Sequence, residues 1–110
     1  MGQAVASLDI PITKGSSGFV AFTRAETGRP AVEYPCIHCG YCVQACPMNL
    51  NPCDLGRFAR KERFEEMADS LQLFDCFECG CCSFVCPSHI PLVQSFRVAK
   101  NAVRKKRAAP

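Results

Sequence analysis

Eight cysteines recur at a spacing that suits thiolate ligation of iron. Cys36–Pro47 reads CIHCGYCVQACP and sets Cys36, Cys39, Cys42 and Cys46 at steps of three, three and four. Forty residues on, CFECGCCSFVCP repeats the pattern with Cys76, Cys79, Cys82 and Cys86. Gly40 recurs as Gly80 and Pro47 as Pro87, so the site itself is an internal repeat. The spacing C-x2-C-x2-C-x3-C-P suits iron–sulfur clusters. A [4Fe–4S] cube needs one thiolate on each iron, and cysteines at steps of three wrap one loop around three corners. The chemistry is then one-electron transfer. It needs no protein acid or base, and no catalytic residue or substrate pocket is expected in the chain.

A fourth cysteine only four residues on has turned away from that cube. In two-cluster ferredoxins it ligates the other cluster. Cys36, Cys39, Cys42 and Cys86 are therefore expected to hold one [4Fe–4S] cluster, and Cys76, Cys79, Cys82 and Cys46 the second. Gly40 and Gly80 can take backbone angles closed to other residues and turn peptide N–H groups toward an anionic cluster. Pro47 and Pro87 keep each loop from running on as helix. Zinc on Cys36, Cys39, Cys76 and Cys79 would make a tetrahedral all-thiolate site. It would strand four cysteines at regular spacing and leave both prolines unexplained. A disulfide framework suits small secreted scaffolds, but no apolar signal segment precedes these cysteines.

Two cysteines fall outside both registers. Cys81 stands where the first run has Tyr41 and is expected to pack near the cluster, with ligation as the alternative. Cys53, at a helix start, is expected to be a small apolar residue. A reactive thiol is the alternative there, because helix N-termini lower thiol pKa values. His38 lies between ligands. Histidine binds metals, but a place in this gap suits a supporting or surface group. His89 is expected to be structural. Tyr41 and the eight phenylalanines are expected to shield the clusters from water.

The elements that must position these loops read as mainly α-helical. Twenty-nine residues separate Cys46 from Cys76, too many for the short connection of small β-rich ferredoxins. Asn51-Pro52 reads as an N-cap with proline at the first helical position. Leu55, Phe58 and Ala59 follow at helical steps, Lys61–Arg63 reads as a break, and Phe64, Met67, Ala68 and Leu71 resume the period. Glu62, Glu65, Glu66 and Asp69 fall on an outer, solvated face. Pro91 opens a last helix whose Leu92, Phe96, Ala99 and Val103 form one apolar stripe. Upstream, LDIPI and FVAFT are strand-like runs around the turn-rich Lys14–Gly18. That KGSSG turn lacks the full phosphate-loop spacing, so a plain hairpin loop is expected. Two strands make no stable sheet alone, so this short β segment is expected to belong to an incomplete upstream domain. Thr27–Pro35 reads as a linker. The expected division is residues 1–30 as a partial β-hairpin, 31–100 as an α-helical two-[4Fe–4S] ferredoxin-like domain, and 101–110 as a basic tail.

The 110 residues are 48% hydrophobic, but ten of those are cysteine, which leaves a modest organic core. Metal binding is then expected to supply much of the folding free energy. Free thiolate ligands imply a reducing compartment. No run of eighteen apolar residues is present to span a bilayer. Residues 97–107 carry six cations and no acid, so the formal +3 leaves −3 over residues 1–96. Eight thiolates and two oxidised 2+ cores would add about −4. The basic end lacks interleaved aromatics and a reader motif, so no nucleic acid is expected. A frayed, solvated tail is expected, with docking to a membrane face or membrane subunit as the second reading.

PCIHCGYCVQACPMNLNP, followed by LFDCFECGCCSFVCPSHIPLVQSFRVAK, resembles the C subunit of the Rnf electron-transport complex. LDIPITKGSSGFVAFT resembles the segment just before the clusters in that subunit, so the likeness runs from about Leu8 to Lys100. The cysteine spacing alone is shared with many ferredoxin-like subunits. The resemblance implies a peripheral subunit on the cytoplasmic side of the cell membrane. It would serve a complex that couples electron transfer between NADH and ferredoxin to ion movement. In that family FMN and NADH belong to an upstream domain that is not visible here, with Met1-Gly2 as its possible trailing edge. The chain is thus expected to be the C-terminal portion of such a subunit. Implied partners are a flavin/NADH-binding domain or subunit, other subunits of the membrane complex, and a ferredoxin-like redox partner. The alternatives are a free dicluster ferredoxin, an iron–sulfur subunit of the heterodisulfide or succinate type, and a zinc-stabilised interaction protein.

Overall fold

A computed structural model describes residue 5, residues 7–28 and residues 32–109. The chain divides into two units, Met1–Ala31 and Val32–Pro110.

In the first unit every described residue is exposed and none is in a strand. This corrects the expected β-hairpin. Leu8, Ile12, Phe19, Val20 and Phe22 all face solvent, between 67% and 102% exposed. The strand-like runs have no sheet to join among the described residues of the unit, and an unpaired strand cannot satisfy its backbone. The KGSSG run is a tight turn: Ser16 N–H donates to the Thr13 carbonyl at 2.9 Å, and Thr13 N–H donates to Ser16 Oγ at 3.2 Å. The one helical segment described there is α1, Arg24–Thr27. It is closed by a capping box in which Thr23 N–H donates to Glu26 Oε2 at 2.7 Å. Thr23-x-x-Glu26 is the sequence signature of that cap, inside what reads as strand and linker. Met1-Gly2 and Pro30 lie outside the described residues.

The second unit is helical, with no strand among its described residues. Its elements are α2 (Tyr41–Gln44), α3 (Pro52–Arg60), α4 (Phe64–Asp69), a 3-10 turn (Leu73–Asp75), α5 (Cys81–Phe84) and α6 (Leu92–Ala108). Asn51 caps α3 by accepting from Asp54 N–H at 3.1 Å, with Pro52 at the first helical position. The break at Lys61–Arg63 separates α3 from α4. Leu92, Phe96, Ala99 and Val103 are all buried on α6. The first three belong to one core cluster with Leu55 of α3, Met67 of α4 and Leu73 of the 3-10 turn, each of the latter fully buried.

The repeat of forty extends well past the cysteine loops. Helix α2 maps onto α5, and the start of α3 maps onto the start of α6. The left-handed backbone positions repeat too: His38 and Glu78 (φ 56° and 63°), Gly40 and Gly80 (79° and 89°), Asn49 and His89 (54° and 52°). Where the copies meet, Gly56 of α3 lies so close to α6 that a Cβ there would stand 2.6 Å from Leu92 Cδ2.

The basic end departs from the expected frayed tail, because α6 continues through Ala108. The acids of α4 hold it. Lys106 pairs with Glu65 at 3.0 Å and Arg107 with Asp69 at 2.7 Å. The guanidiniums of Arg104 and Arg107 lie over the Phe74 ring, each 5.7 Å from its centre. Glu65 and Asp69, expected as plain solvated surface, are thus partners of the last helix.

Candidate metal centres

Two cavities open beside the core, and each gathers thiols from both motifs. The first is lined by Cys36, Cys39 and Cys42 of the first loop and by Cys86 from the second. The second is lined by Cys76, Cys79 and Cys82 of the second loop and by Cys46 from the first. The pairs Cys36–Cys39 and Cys76–Cys79, required together by the all-thiolate zinc site, line different cavities. The loops keep them apart because each wraps its own hollow.

The loop geometry follows from the repeated φ signs. Right- and left-handed residues in succession turn peptide N–H groups inward and make an anion-binding concavity. His38 N–H, for example, points to Cys36 Sγ at 3.5 Å. Gly40 and Gly80 sit at φ values that a side chain would strain. The crossing is pinned at Ser88, which is buried. Its Oγ donates to the Pro35 carbonyl at 2.9 Å, and its carbonyl accepts from Tyr34 N–H at 3.0 Å. The residue after Pro87 is thereby tied to the residues just ahead of Cys36. Ser83 Oγ accepts from Val93 N–H at 3.1 Å and ties the second loop to the start of α6.

Four thiols around a mostly apolar hollow are the donor chemistry of a thiolate-held iron–sulfur cluster. Residues 35–90 match the family model described as "4Fe-4S dicluster domain". The chain belongs to that family. Over 104 residues, 94% of its length, it is 50% identical to the C subunit of an ion-translocating oxidoreductase complex of Yersinia enterocolitica, of which it covers 15%. It is 42% identical, over 94% of its length, to the C subunit of a proton-translocating ferredoxin:NAD(+) oxidoreductase complex of Clostridium ljungdahlii, covering 22% of that protein. The C subunit of the ion-translocating complex from Pasteurella multocida is 45% identical over 91% of the chain, which covers 12% of it. The chain thus spans less than a quarter of the length of these relatives. Among its described residues no helix is long and apolar enough to cross a membrane.

The two cavities of this dicluster domain differ in their walls. Equivalent positions of the repeat face equivalent cavities, with different side chains: Cys53 against Val93, Gly56 against Phe96. The first cavity also meets His38, Arg57 and Arg60, whereas the second is walled by Leu50, Pro52, Leu55, Val93 and Phe96. Burial pushes the Cys82 thiol up to about 11 and raises that of Cys42. A ligand must be deprotonated, so such thiols become thiolates when a metal takes up their charge.

Cys53 does not show the lowered pKa of a reactive thiol, the alternative to the expected small apolar residue. Burial, then the neighbouring Cys36, pushes it up to about 11 despite the helix start. It lines the first cavity as a fifth thiol, 3.9 Å from His38 Nδ1. Cys81 is exposed and lines neither cavity. Its thiol is raised by a hydrogen bond with Cys79, so it sits beside that residue rather than packed inside. His89 is exposed and supplies a left-handed turn. The aromatic shield is also corrected. Tyr41, Phe77 and Phe84 are 54%, 49% and 91% exposed, and among the described Phe and Tyr residues only Phe96 lines either of the two cysteine-lined cavities.

Sequence reading missed a buried charge. Lys100 is only 5% exposed. Its Nζ donates to the Cys76 carbonyl and to Glu78 Oε1, the latter at 3.1 Å. Arg97 Nε donates to Glu78 Oε2 at 2.7 Å. The Arg97 guanidinium, then Lys100, holds the Glu78 carboxyl below its usual range. The signal was in the register: Val93, Phe96, Lys100 and Val103 run at steps of three, four and three, so Lys100 occupies a place on the buried stripe.

Proposed function

We propose that this chain passes single electrons through two [4Fe–4S] clusters, as the iron–sulfur relay of an Rnf-type NADH:ferredoxin oxidoreductase coupled to ion translocation. Cys36, Cys39, Cys42 and Cys86 hold one cluster, and Cys46, Cys76, Cys79 and Cys82 the other. The observation that carries this is the pair of cavities, each walled by three cysteines of one motif and the last cysteine of the other. When bound, such clusters supply reversible one-electron acceptance, at potentials within roughly −700 to +450 mV. All-cysteine ligation and a reducing partner favour the low end. The chain's own residues bind them and turn N–H dipoles toward them. The likeness to the C subunits of these complexes supports a peripheral place on the cytoplasmic side of a membrane complex. FMN and NADH would bind a neighbouring domain or subunit, since flavin chemistry splits an electron pair into single transfers. A ferredoxin-like protein would be the other redox partner.

The test is anaerobic purification with metal analysis. About eight iron and eight sulfide per chain are expected. Cys86→Ser should remove about four of each and leave the signal of the cluster on the second triad. Dithionite should bleach the visible absorption and NADH alone should not. A second reading, a zinc-stabilised interaction protein, is favoured by one observation: ligand atoms of Cys36, His38 and Cys53 lie within 4.8 Å of one another. Colourless, folded protein with stoichiometric zinc would decide for it.

A further inference from the structure

We propose that Lys100 sets the reduction potential of the second site, holding it above the value that the apolar walls would give. The inference rests on the two-cluster reading. Accepting an electron makes that site one unit more negative, from about −2 to about −3 with four thiolates and a 2+ core. Walls of Leu50, Pro52, Leu55, Val93 and Phe96 penalise the added charge. A fixed cation in the same low dielectric offsets the penalty, because charges interact more strongly there than in water.

Lys100 is that cation. Lysine is almost never fully buried unless paired, and this one is 5% exposed. Its ammonium is anchored on the carbonyl of Cys76, whose thiol lines the cavity. The carboxylate of Glu78 holds it at 3.1 Å and also binds Arg97 at 2.7 Å, so the three groups carry a net positive charge. The first cavity is lined by two cations, Arg57 and Arg60, but their side chains are 57% and 48% exposed, so neither is a buried charge. The repeat counterpart of Lys100 is Arg60, whose guanidinium reaches Glu33 at 2.7 Å with both side chains nearly half exposed. Exposed pairs of that kind are screened. The counterpart of Glu78 is His38. The buried charge therefore acts on one site of the pair.

The test is an anaerobic potentiometric titration of the full chain, followed by visible absorbance and electron paramagnetic resonance. Wild type, Lys100→Met and Glu78→Gln are compared. A Cys86→Ser background, which keeps the second site, identifies its wave. Lys100→Met should move that wave to more negative potential. Glu78→Gln keeps the shape of the side chain but removes the nearest anion, and should move it to more positive potential. The other wave should stay. A residue that only anchors the loop has no reason to give shifts of opposite sign. Unmoved waves, shifts of equal sign, or equal movement of both waves would overturn the proposal. Should Lys100→Met lose its cluster, Glu78→Gln decides alone by whether one wave rises. A wild-type chain with about four iron and a single wave would instead overturn the two-cluster reading, and this inference with it.

Discussion

Single side chains decide how alike the two halves of the repeat are. Gly56 and Phe96 stand forty residues apart at equivalent helix positions, and each lines its own cavity. Phe96 is buried and closes the second hollow with its ring. Gly56 leaves the first one open, and its missing side chain also lets α3 approach Leu92. Gly56→Phe, which makes the halves alike, should therefore overfill the first site. We expect iron to fall from about eight to about four per chain, with the second cluster retained. Metal analysis with electron paramagnetic resonance measures this. Full iron content would show that the first cavity has room the geometry does not suggest.

At the scale of elements, helix α6 is the part on which the others pack. Helices α3 and α4 and the 3-10 turn all contact it. Its inner face is an apolar stripe, but its far end is polar, and there the acids of α4 meet Lys106 and Arg107. Cations in a last helical turn also face the negative end of the helix dipole. Both pairs are largely exposed, so each is worth about 0–1 kcal/mol. Replacing Lys106 and Arg107 by alanine should lower the melting temperature by a few degrees in low salt and by almost nothing in 1 M salt. Unchanged melting at low salt would mean that the end of α6 gains nothing from α4.

The whole molecule is short of organic core. Burial in the second unit rests on a handful of aliphatic and aromatic side chains around Leu55, Met67, Leu73 and Phe96, while the cysteine loops surround hollows. Structural metal binding contributes on the order of 10 kcal/mol in small metal domains, comparable to the entire stability of an ordinary domain of about 5–15 kcal/mol. Removing iron anaerobically with a chelator should therefore abolish cooperative thermal unfolding and most of the near-ultraviolet signal of packed aromatic residues. A chelated protein that keeps a sharp transition would show a core that holds without the clusters.

The sequence by itself determined whatever depends on near neighbours. The steps of three and four shape each cysteine loop, the glycines permit its left-handed turns, Asn51-Pro52 starts α3, and the stripe from Leu92 to Val103 buries α6. These are local because backbone sterics, caps and helical period act within a few residues. The upstream runs show the limit of the same reasoning: strand propensity is realised only with a partner strand, and the described residues of the first unit offer none. Tertiary structure alone decided which hollow each flank faces. It brought Cys53 to the first cavity, set Gly56 against Leu92, and turned Lys100 inward onto the carbonyl of Cys76. Those contacts join residues 15 to 36 positions apart. No spacing rule reaches that far, because the packing of α3 and α4 on α6 fixes them.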